Sequence, residues 1–306
     1  MTDARVADCV VSYHHNIHTC GVARFNKYLA EHLNVPMVEI ADLVGSEFRY
    51  PIVSVKESEM QTSDLVPFLE MLRSVAHFSL ILHDYSNSDF ERELVGRASR
   101  VMGLNQQLAE KIRLERPDAL AGFTIPSYRD EVSAPTPELR LLTFGMAHKI
   151  QSAGYRKVAE MLVEDEREFV LEISSALHEG TEFDDSFFTV GDEISKCFLG
   201  RVEFLGFLAD NEVSRRLTNA HAMLAFFPNG LRENNNSVVS AMRLGVPVVT
   251  NLDNASPEWA QHGETVFDVN NLKIFPTHDE LVEVGRRGRS AVTHLTYDNL
   301  VSILFS

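Results

Sequence analysis

Short apolar runs alternate with amphipathic stretches along nearly the whole chain, and no other feature restricts its fold as strongly. Residues 6–13, 78–82 and 100–104 are runs of strand length, whereas residues 21–33 and 65–75 space their apolar side chains one helical turn apart. Strands that alternate with helices form βαβ units, in which the strands are parallel. The sequence therefore predicts an α/β protein built on parallel sheets.

A polar segment at residues 133–138, Ser-Ala-Pro-Thr-Pro-Glu, interrupts this alternation. Its two prolines and its lack of apolar periodicity are typical of a linker. Beyond it the pattern restarts, with predicted strands at 139–144, 169–173, 202–206, 222–227 and 246–250. We therefore predict two doubly wound domains, 1–134 and 139–290, that face a central cleft and bind ligands at the carboxyl ends of their strands.

The charge balance restricts the kind of partner that the chain can bind. It has 44 acidic and 28 basic residues, a net charge of −16, and such a surface repels the phosphates of nucleic acids and anionic lipids. We therefore expect no bulk binding of nucleic acid. No apolar run approaches the roughly 18 residues of a membrane span, and the first residues lack the apolar core of a signal peptide. These features favour a cytoplasmic protein.

Cysteine usage agrees with that expectation. The three cysteines, Cys9, Cys20 and Cys197, are odd in number and widely spaced. They match neither a disulfide framework nor a Cys-x-x-Cys metal site, so we interpret them as reduced thiols.

Residues 202–268 carry the most specific pattern in the chain. A strand ends in Gly206, a helix opens with Asp210, a strand ends in Pro228, and a polar loop leads to a helix that closes at Gly245 before Val-Pro-Val-Val. This order and spacing resemble the nucleotide-sugar half of the family 4 glycosyltransferases. The resemblance implies a GT-B fold with two Rossmann-like domains, and a final segment, 291–306, that packs back toward the first domain.

A diphosphate needs cations or backbone N–H groups, and a helix start offers free N–H groups with a partial positive charge. Here the predicted helix begins near Asn235, Asn236 and Ser237, which we assign to the donor together with Gly206 and Phe207. Asparagines at a helix start could also serve only as caps. Three consecutive asparagines are more than capping requires.

The family's paired glutamates, which contact donor sugar and ribose, fall on Arg232 and Ser240 in this sequence. Glu233 is next to the first of these positions, and a change of one residue in the length of the loop would bring Glu233 into it. The family's Gly-Arg…Lys-Gly cations are also replaced, since Met146 and Ala153 stand at those two positions.

Three residues could supply the missing positive charge in this half of the chain. Our hypothesis is that Lys149, His148 or Arg232 supplies it. The alternative is that Lys149 is a solvated surface residue, as most lysines are.

In the first half, Cys20-Gly21-Val22 resembles the family's Gly-Gly-Val turn, in which Gly21 would let the donor phosphate approach the backbone. The preceding loop contains three histidines, which we assign to acceptor hydroxyls or phosphate: His14, His15 and His18. No set of cysteines or carboxylates completes a metal site around them in the sequence, so no metal site is predicted.

His83 is the catalytic candidate. It follows an apolar run, Phe-Ser-Leu-Ile-Leu, and the resemblance places a histidine there near the anomeric carbon of the donor. The competing interpretation is a histidine whose hydrogen bonds are satisfied within a loop.

Two other chemistries fit the sequence poorly. A metal-dependent transferase of the other common fold would need an acidic Asp-x-Asp-like motif beside a nucleotide-binding pattern. Asp184 and Asp185 are the candidates for such a motif, but they lie in a polar stretch with no nucleotide-binding pattern beside it. No Gly-x-Ser-x-Gly nucleophile elbow occurs either.

The prediction is a retaining, metal-independent glycosyltransferase with no cofactor and an unidentified acceptor; a homodimer is compatible with it. The family favours a UDP-sugar as donor, with a GDP-sugar as the alternative. A non-catalytic sugar-nucleotide-binding or scaffold subunit, and a nucleotide-sugar epimerase, are the competing functions.

Overall fold

Residues 7–18, 20–128, 138–146, 152–164, 167–176 and 185–306 are described by a computed structural model. Contacts divide the chain into two compact units, Met1–Thr124 with Leu295–Ser306, and Ile125–His294. Each unit contains one six-stranded sheet in which all the paired strands are parallel. The predicted α/β class with parallel sheets is confirmed.

The first unit alternates short buried strands with helices. Its strands are β1 (Val10–Ser12), β2 (Met37–Val38), β3 (Ile52–Val55), β4 (Ser79–Leu82), β5 (Arg100–Gly103) and β6 (Leu120–Ala121). The helices between them are α1 (Gly21–Leu33), α2 (Thr62–Leu72), α3 (Asp89–Arg97) and α4 (Gln106–Arg113). The strand order β2-β1-β3-β4-β5-β6 reverses between β1 and β3. In doubly wound sheets ligands bind at the carboxyl ends of the strands on either side of such a reversal.

The second unit has the strand order of a dinucleotide-binding domain. Its strands are β7 (Leu139–Met146), β8 (Phe169–Ala176), β9 (Val202–Gly206), β10 (Ala222–Leu224), β11 (Val248–Thr250) and β12 (Phe267–Asp268). Its helices are α5 (Ser152–Glu164), α6 (Asp185–Cys197), α7 (Asp210–Asn219), α8 (Asn236–Arg243) and α9 (His278–Ala291). The order β12-β11-β10-β7-β8-β9 reverses between β7 and β10. This is the Rossmann arrangement, and its ligand position lies at the ends of β7 and β10.

The last helix, α10 (Tyr297–Leu304), belongs to the first unit. The Tyr297 hydroxyl donates a hydrogen bond to the carbonyl of Phe25 on α1, at 3.2 Å. The Arg100 guanidinium, at the start of β5, donates to the carbonyls of Leu304 and Ser306 at 3.2 and 2.6 Å. Hydrogen bonds from side chains to backbone carbonyls therefore join the last residues to α1 and to the start of β5.

The observed elements agree with the predicted ones where apolar periodicity is long and uninterrupted. Helix 21–33 and strand 202–206 have the predicted bounds. The predicted strand 222–227 ends at Leu224, because the backbone of Phe227 bonds to the Asn251 side chain and no longer pairs with β11. Strand β3 lies in a stretch that the sequence left unassigned. Within the described ranges, every helix is too short or too polar to cross a bilayer.

Helix α9 packs closely on the turn that ends α8, and a glycine permits this approach. A Cβ added to Gly285 would lie 2.2 Å from the carbonyl oxygen of Gly245, which has a φ of +79°. Since Gly245 supplies that left-handed turn, neither glycine tolerates a side chain without movement of the backbone.

Replacing Gly285 with alanine should therefore push α9 away from the turn. We expect Gly285→Ala to lower the free energy of unfolding by about 1–3 kcal/mol, the usual cost of overpacking, measured by urea denaturation. Gly96→Ala is the matched control, because a Cβ at Gly96 on α3 meets nothing within 4 Å. It should raise stability by up to about 1 kcal/mol through helix propensity. Equal stability of the Gly285 variant and the wild type would contradict the packing described.

Candidate functional site

The loop that joins β10 to α8 in the second unit is fixed at its start by Asn251. The Phe227 N–H donates to Asn251 Oδ1 at 2.8 Å, and Asn251 Nδ2 donates back to the Phe227 carbonyl at 2.7 Å. The Leu231 N–H donates to the Asn251 carbonyl at 3.0 Å. Asn251, which directly follows β11, therefore holds both the beginning and the middle of this loop.

Arg232 forms a bidentate ion pair with Asp253 in the same loop region. Its Nη1 and Nη2 each donate to one carboxylate oxygen at 2.8 Å, and Nη1 also donates to the Leu231 carbonyl. These hydrogen bonds hold the pKa of Asp253 below its ordinary value. Arg232 is buried, and Asp253 compensates its charge in the structure. Any anion that binds Arg232 must therefore compete with, or share, this ion pair.

Gly230 makes the close approach of Asp253 possible. Its φ is +73°, and an added Cβ would lie 2.8 Å from Asp253 Cγ and 3.2 Å from Arg232 Nη1. The ion pair and the turn at Gly230 thus form one structural unit.

Asn235 and Asn236 have different partners at the start of α8. Asn235 occupies the N-cap position, but its Oδ1 accepts from the Arg232 N–H at 2.7 Å instead of capping the helix. Asn236 Nδ2 donates to the Ile125 carbonyl at 2.6 Å, and its Oδ1 accepts from Ser127 and Ser240. The side chain of Asn236 therefore holds the segment by which the chain enters the second unit.

Ser240 also bonds to the segment of residues 125–127. It is fully buried, and its Oγ accepts a hydrogen bond from the Ser127 N–H at 3.0 Å. In this arrangement a ligand cannot reach Ser240 unless residues 125–127 move.

Ser237 is the member of this group that is most available to a ligand. It is half-buried in the first turn of α8, and its hydroxyl has no hydrogen-bond partner among the residues that the structure describes. Glu233, next to Arg232, is also half-buried. Among the described residues, the N–H groups of Asn236, Val238 and Val239 bond to the carbonyls of Asn234 and Asn235. An anion at this helix start would therefore meet the Ser237 N–H and the Ser237 hydroxyl.

Gly206 and Phe207 lie at the carboxyl end of β9, on the same edge of the sheet but not beside α8. Strand β9 stands three places from β10 in the order β10-β7-β8-β9, a distance of roughly 14 Å at the usual strand spacing. Gly206 has a φ of +65°, and its carbonyl accepts from Ser174 at 3.0 Å. The side chain of Phe207 is 52% exposed. His148 and Lys149, the two other candidate cations, lie outside the described residues.

In the first unit, His14 is the most inward of the three predicted acceptor-side histidines. His15 and His18 are exposed, whereas His14 is half-buried and its Nε2 lies 2.9 Å from the Glu59 carbonyl oxygen. His15 Nε2 lies 3.2 Å from the Ser12 carbonyl oxygen, at the end of β1. Gly21 is exposed at the start of α1, and a Cβ there would meet nothing within 4 Å. The helix start is therefore open to an approaching group.

Cys20 and Glu59 lie beside His14, although neither was predicted as a site residue from the sequence. Cys20 caps α1, with its Sγ accepting from the Ala23 N–H, and its thiol donates to Glu59 Oε2 at 3.5 Å. Burial raises the pKa of the Cys20 thiol to about 11. Glu59 follows β3, whose pairing with β1 brings these distant residues together. Recognition of β3 is the signal that would have found Glu59.

His83, which follows β4, is a neutral side chain at physiological pH. Its Nε2 lies 3.0 Å from Ser54 Oγ, and Phe25 packs edge-on against the ring at 5.1 Å. Part of its surface is accessible, but protein atoms surround the ring, and this desolvation lowers the pKa of His83 to about 3. Glu59 opposes the shift and Lys56 adds to it. His83 can donate or accept a hydrogen bond, but it does not provide positive charge.

Polar side chains surround His83 near the central strands of the first sheet. Asn26, fully buried on α1, donates from Nδ2 to Ser12 Oγ and to the Ser54 carbonyl at 2.9 and 3.1 Å. Asp84, beside His83, accepts from the Glu57 N–H and from the Ser58 hydroxyl. Asp84 therefore shapes the turn after β3, Asn26 holds the backbone of Ser54, and the Ser54 hydroxyl contacts the ring of His83.

Comparisons with solved structures identify the architecture. Anabaena HepE in complex with UDP and glucose is 14% identical, covers 97% of both chains and gives a TM-score of 0.64. Sucrose-phosphate synthase from Thermosynechococcus elongatus is 14% identical over 85% of this chain and 72% of its own, with a TM-score of 0.61. A glycosyltransferase from Rickettsia africae ESF-5 is 9% identical over 97% of this chain and 96% of its own, with a TM-score of 0.58.

Sequence comparison adds no relative, because no protein-family model and no curated protein sequence matches the chain. At such low identities the structural likeness establishes the fold alone. The chain has the GT-B fold that these glycosyltransferases share, as the family resemblance implied.

The neutrality of His83 can be tested by NMR. Between pH 8 and pH 5 its Hε1 resonance should not shift, because the folded-state pKa is about 3. In urea-unfolded protein the same residue should titrate near its ordinary value of about 6.5. The unfolded state therefore binds the proton first, so His83 lowers folding stability as pH falls from about 6.5 toward 3. His83→Gln assigns the resonance, and a midpoint above pH 5 in the folded protein would contradict the prediction.

The Arg232–Asp253 pair should contribute to the stability of the loop. We expect Arg232→Ala to lower the free energy of unfolding by about 1–3 kcal/mol, since buried hydrogen bonds to a charged group are lost. Arg232→Lys should restore little of it, because lysine cannot form two parallel bonds.

Arg286→Ala is the control for that experiment, since Arg286 pairs with Glu283 on the exposed face of α9. It should leave stability unchanged within error. Equal effects of the Arg232 and Arg286 substitutions would show that the buried pair does not hold the loop.

Proposed function

We propose that this protein is a glycosyltransferase that moves a sugar from a nucleoside diphosphate sugar to an acceptor, with retention of anomeric configuration and without a metal in the transfer. The observation that carries the proposal is the loop between β10 and α8. It lies where the Rossmann-type strand order reverses, it is fixed by Asn251 and by the Arg232–Asp253 pair, and it leads to an open helix start at Ser237.

The helix start would bind the diphosphate of the donor. The N–H and the hydroxyl of Ser237 would donate hydrogen bonds to it, and they would stabilise the negative charge that develops as the glycosidic bond breaks. Lys149 or His148, outside the described residues, remains our candidate for the accompanying cation. Arg232 would act mainly by fixing the loop, since Asp253 compensates its charge.

The donor that we propose is a UDP-sugar, with a GDP-sugar as the alternative. HepE, which has the same fold over 97% of both chains, was crystallised with UDP-glucose. His83 is the catalytic candidate on the first unit. Because its ring is neutral, it would orient a sugar hydroxyl by hydrogen bonding and would not stabilise charge as a cation.

A non-catalytic sugar-nucleotide-binding subunit is the second candidate function. It is favoured by the two residues at the positions of the family's glutamates, because both bond to other parts of the protein. Arg232 is paired with Asp253, and Ser240 is buried against residues 125–127. A protein of this kind would bind the donor but would not cleave it.

Thermal unfolding with UDP, GDP, ADP, CDP, dTDP and their common sugars tests both candidates. A ligand at 100 times its dissociation constant should stabilise the protein by about 2.7 kcal/mol. Ser237→Ala should weaken binding of that ligand about tenfold or more, the cost of one hydrogen bond to a charged group. Ser290→Ala, on the exposed side of α9, is the matched control and should leave binding unchanged.

The outcomes separate the candidates. Stabilisation by one nucleotide, with release of sugar from the matching donor, supports the transferase. Stabilisation without hydrolysis or transfer, tested with a panel of sugar acceptors, supports the binding subunit. The absence of stabilisation by any nucleotide would overturn both.

A further inference from the structure

We propose that His14, Cys20 and Glu59 bind a single Zn²⁺-class metal ion in the first unit, independently of the sugar transfer proposed above. One ligating atom from each residue lies within 4.8 Å of the other two. Cys20 is buried, and His14 and Glu59 are half-buried. His14 and Glu59 are 45 residues apart in the chain, which is why the histidine loop alone gave no metal site in the sequence.

The distances suit a tetrahedral site. Cys20 Sγ and Glu59 Oε2 lie 3.5 Å apart. Two ligands at about 2.3 and 2.0 Å from one tetrahedral Zn²⁺ are separated by roughly 3.5 Å. One ring nitrogen of His14 lies within 4.8 Å of a ligating atom of each of these two residues.

Neighbouring groups orient each ligand. Lys56 Nζ binds Glu59 Oε1 at 2.5 Å, so the other carboxylate oxygen is the one directed at Cys20. The ring of His14 is fixed by its contact with the Glu59 carbonyl and by the edge of Tyr13 at 4.7 Å. Supporting contacts of this kind are typical of built metal sites.

The charges balance around a divalent ion. Metal binding displaces the thiol proton of Cys20 to solvent, and the thiolate then stands at the positive N-terminus of the 13-residue helix α1. One thiolate, one carboxylate and one neutral imidazole compensate the two charges of the ion. Lys56 remains paired with the second carboxylate oxygen.

The donor set selects the metal. Nitrogen and sulfur ligands favour Zn²⁺ and Co²⁺ over Mg²⁺ and Ca²⁺, which prefer oxygen. Three protein ligands leave a fourth tetrahedral position for water. The ion would tie together the loop after β1, the start of α1 and the turn after β3, all at the carboxyl edge of the sheet.

Titration of tag-free, reduced and metal-free protein with Co²⁺ tests the site. We expect one equivalent to bind, with the ultraviolet charge-transfer band of a cobalt–thiolate bond and the visible bands of a tetrahedral ion, and Zn²⁺ should displace it. Cys20→Ser should abolish the charge-transfer band, and His14→Gln should weaken Co²⁺ binding at least tenfold. The matched controls Cys197→Ser and His15→Gln should bind as the wild type does.

Unfolding of each variant without metal is compared first, so that loss of binding is not confused with loss of folding. His14→Gln changes a half-buried loop residue and gives a readout if Cys20→Ser does not fold. The proposal is overturned if wild-type protein gives no charge-transfer band, if the band persists in folded Cys20→Ser, or if Cys197→Ser removes it.

Discussion

Parallel pairing of the central strands is the constraint on which both candidate sites depend. Parallel strands end at one edge of a sheet, so each connection must cross from that edge back to the opposite edge. Where the strand order reverses, two such connections leave in opposite directions and open a space between them. The pairing of β1 with β3 and of β7 with β10 creates that space once in each unit.

The two spaces are lined by residues that come together in different ways. In the first unit the pairing brings together polar and ionisable side chains that are far apart in sequence, among them His14, Glu59 and the neutral His83. In the second unit one continuous loop leads to the candidate site, and the shape of this loop depends on bonds to Asn251 and Asp253, which follow β11. Strand pairing therefore brings the residues of the first site together, and hydrogen bonds to the segment after β11 fix the loop of the second.

This difference explains how much the sequence could predict. The loop before α8 is local, so the sequence pattern placed the start of α8 near Asn235, Asn236 and Ser237. The partners of Arg232 and Ser240 were not predictable, because Asp253 and Ser127 join them only through the folded turn at Gly230 and the entry segment. Glu59 was missed because β3 is only four residues long, one of them a serine, and has no periodicity of its own.

The return of α10 to the first unit has a consequence for how the chain assembles. Residues Leu295–Ser306 are synthesised after the whole of the second unit, yet the first unit uses them to cover α1 and β5. During synthesis the second unit can complete its core while the first still exposes the surface that α10 will cover. The first unit is therefore completed after the second, and until then the surface on α1 and β5 that α10 will cover is exposed to aggregation.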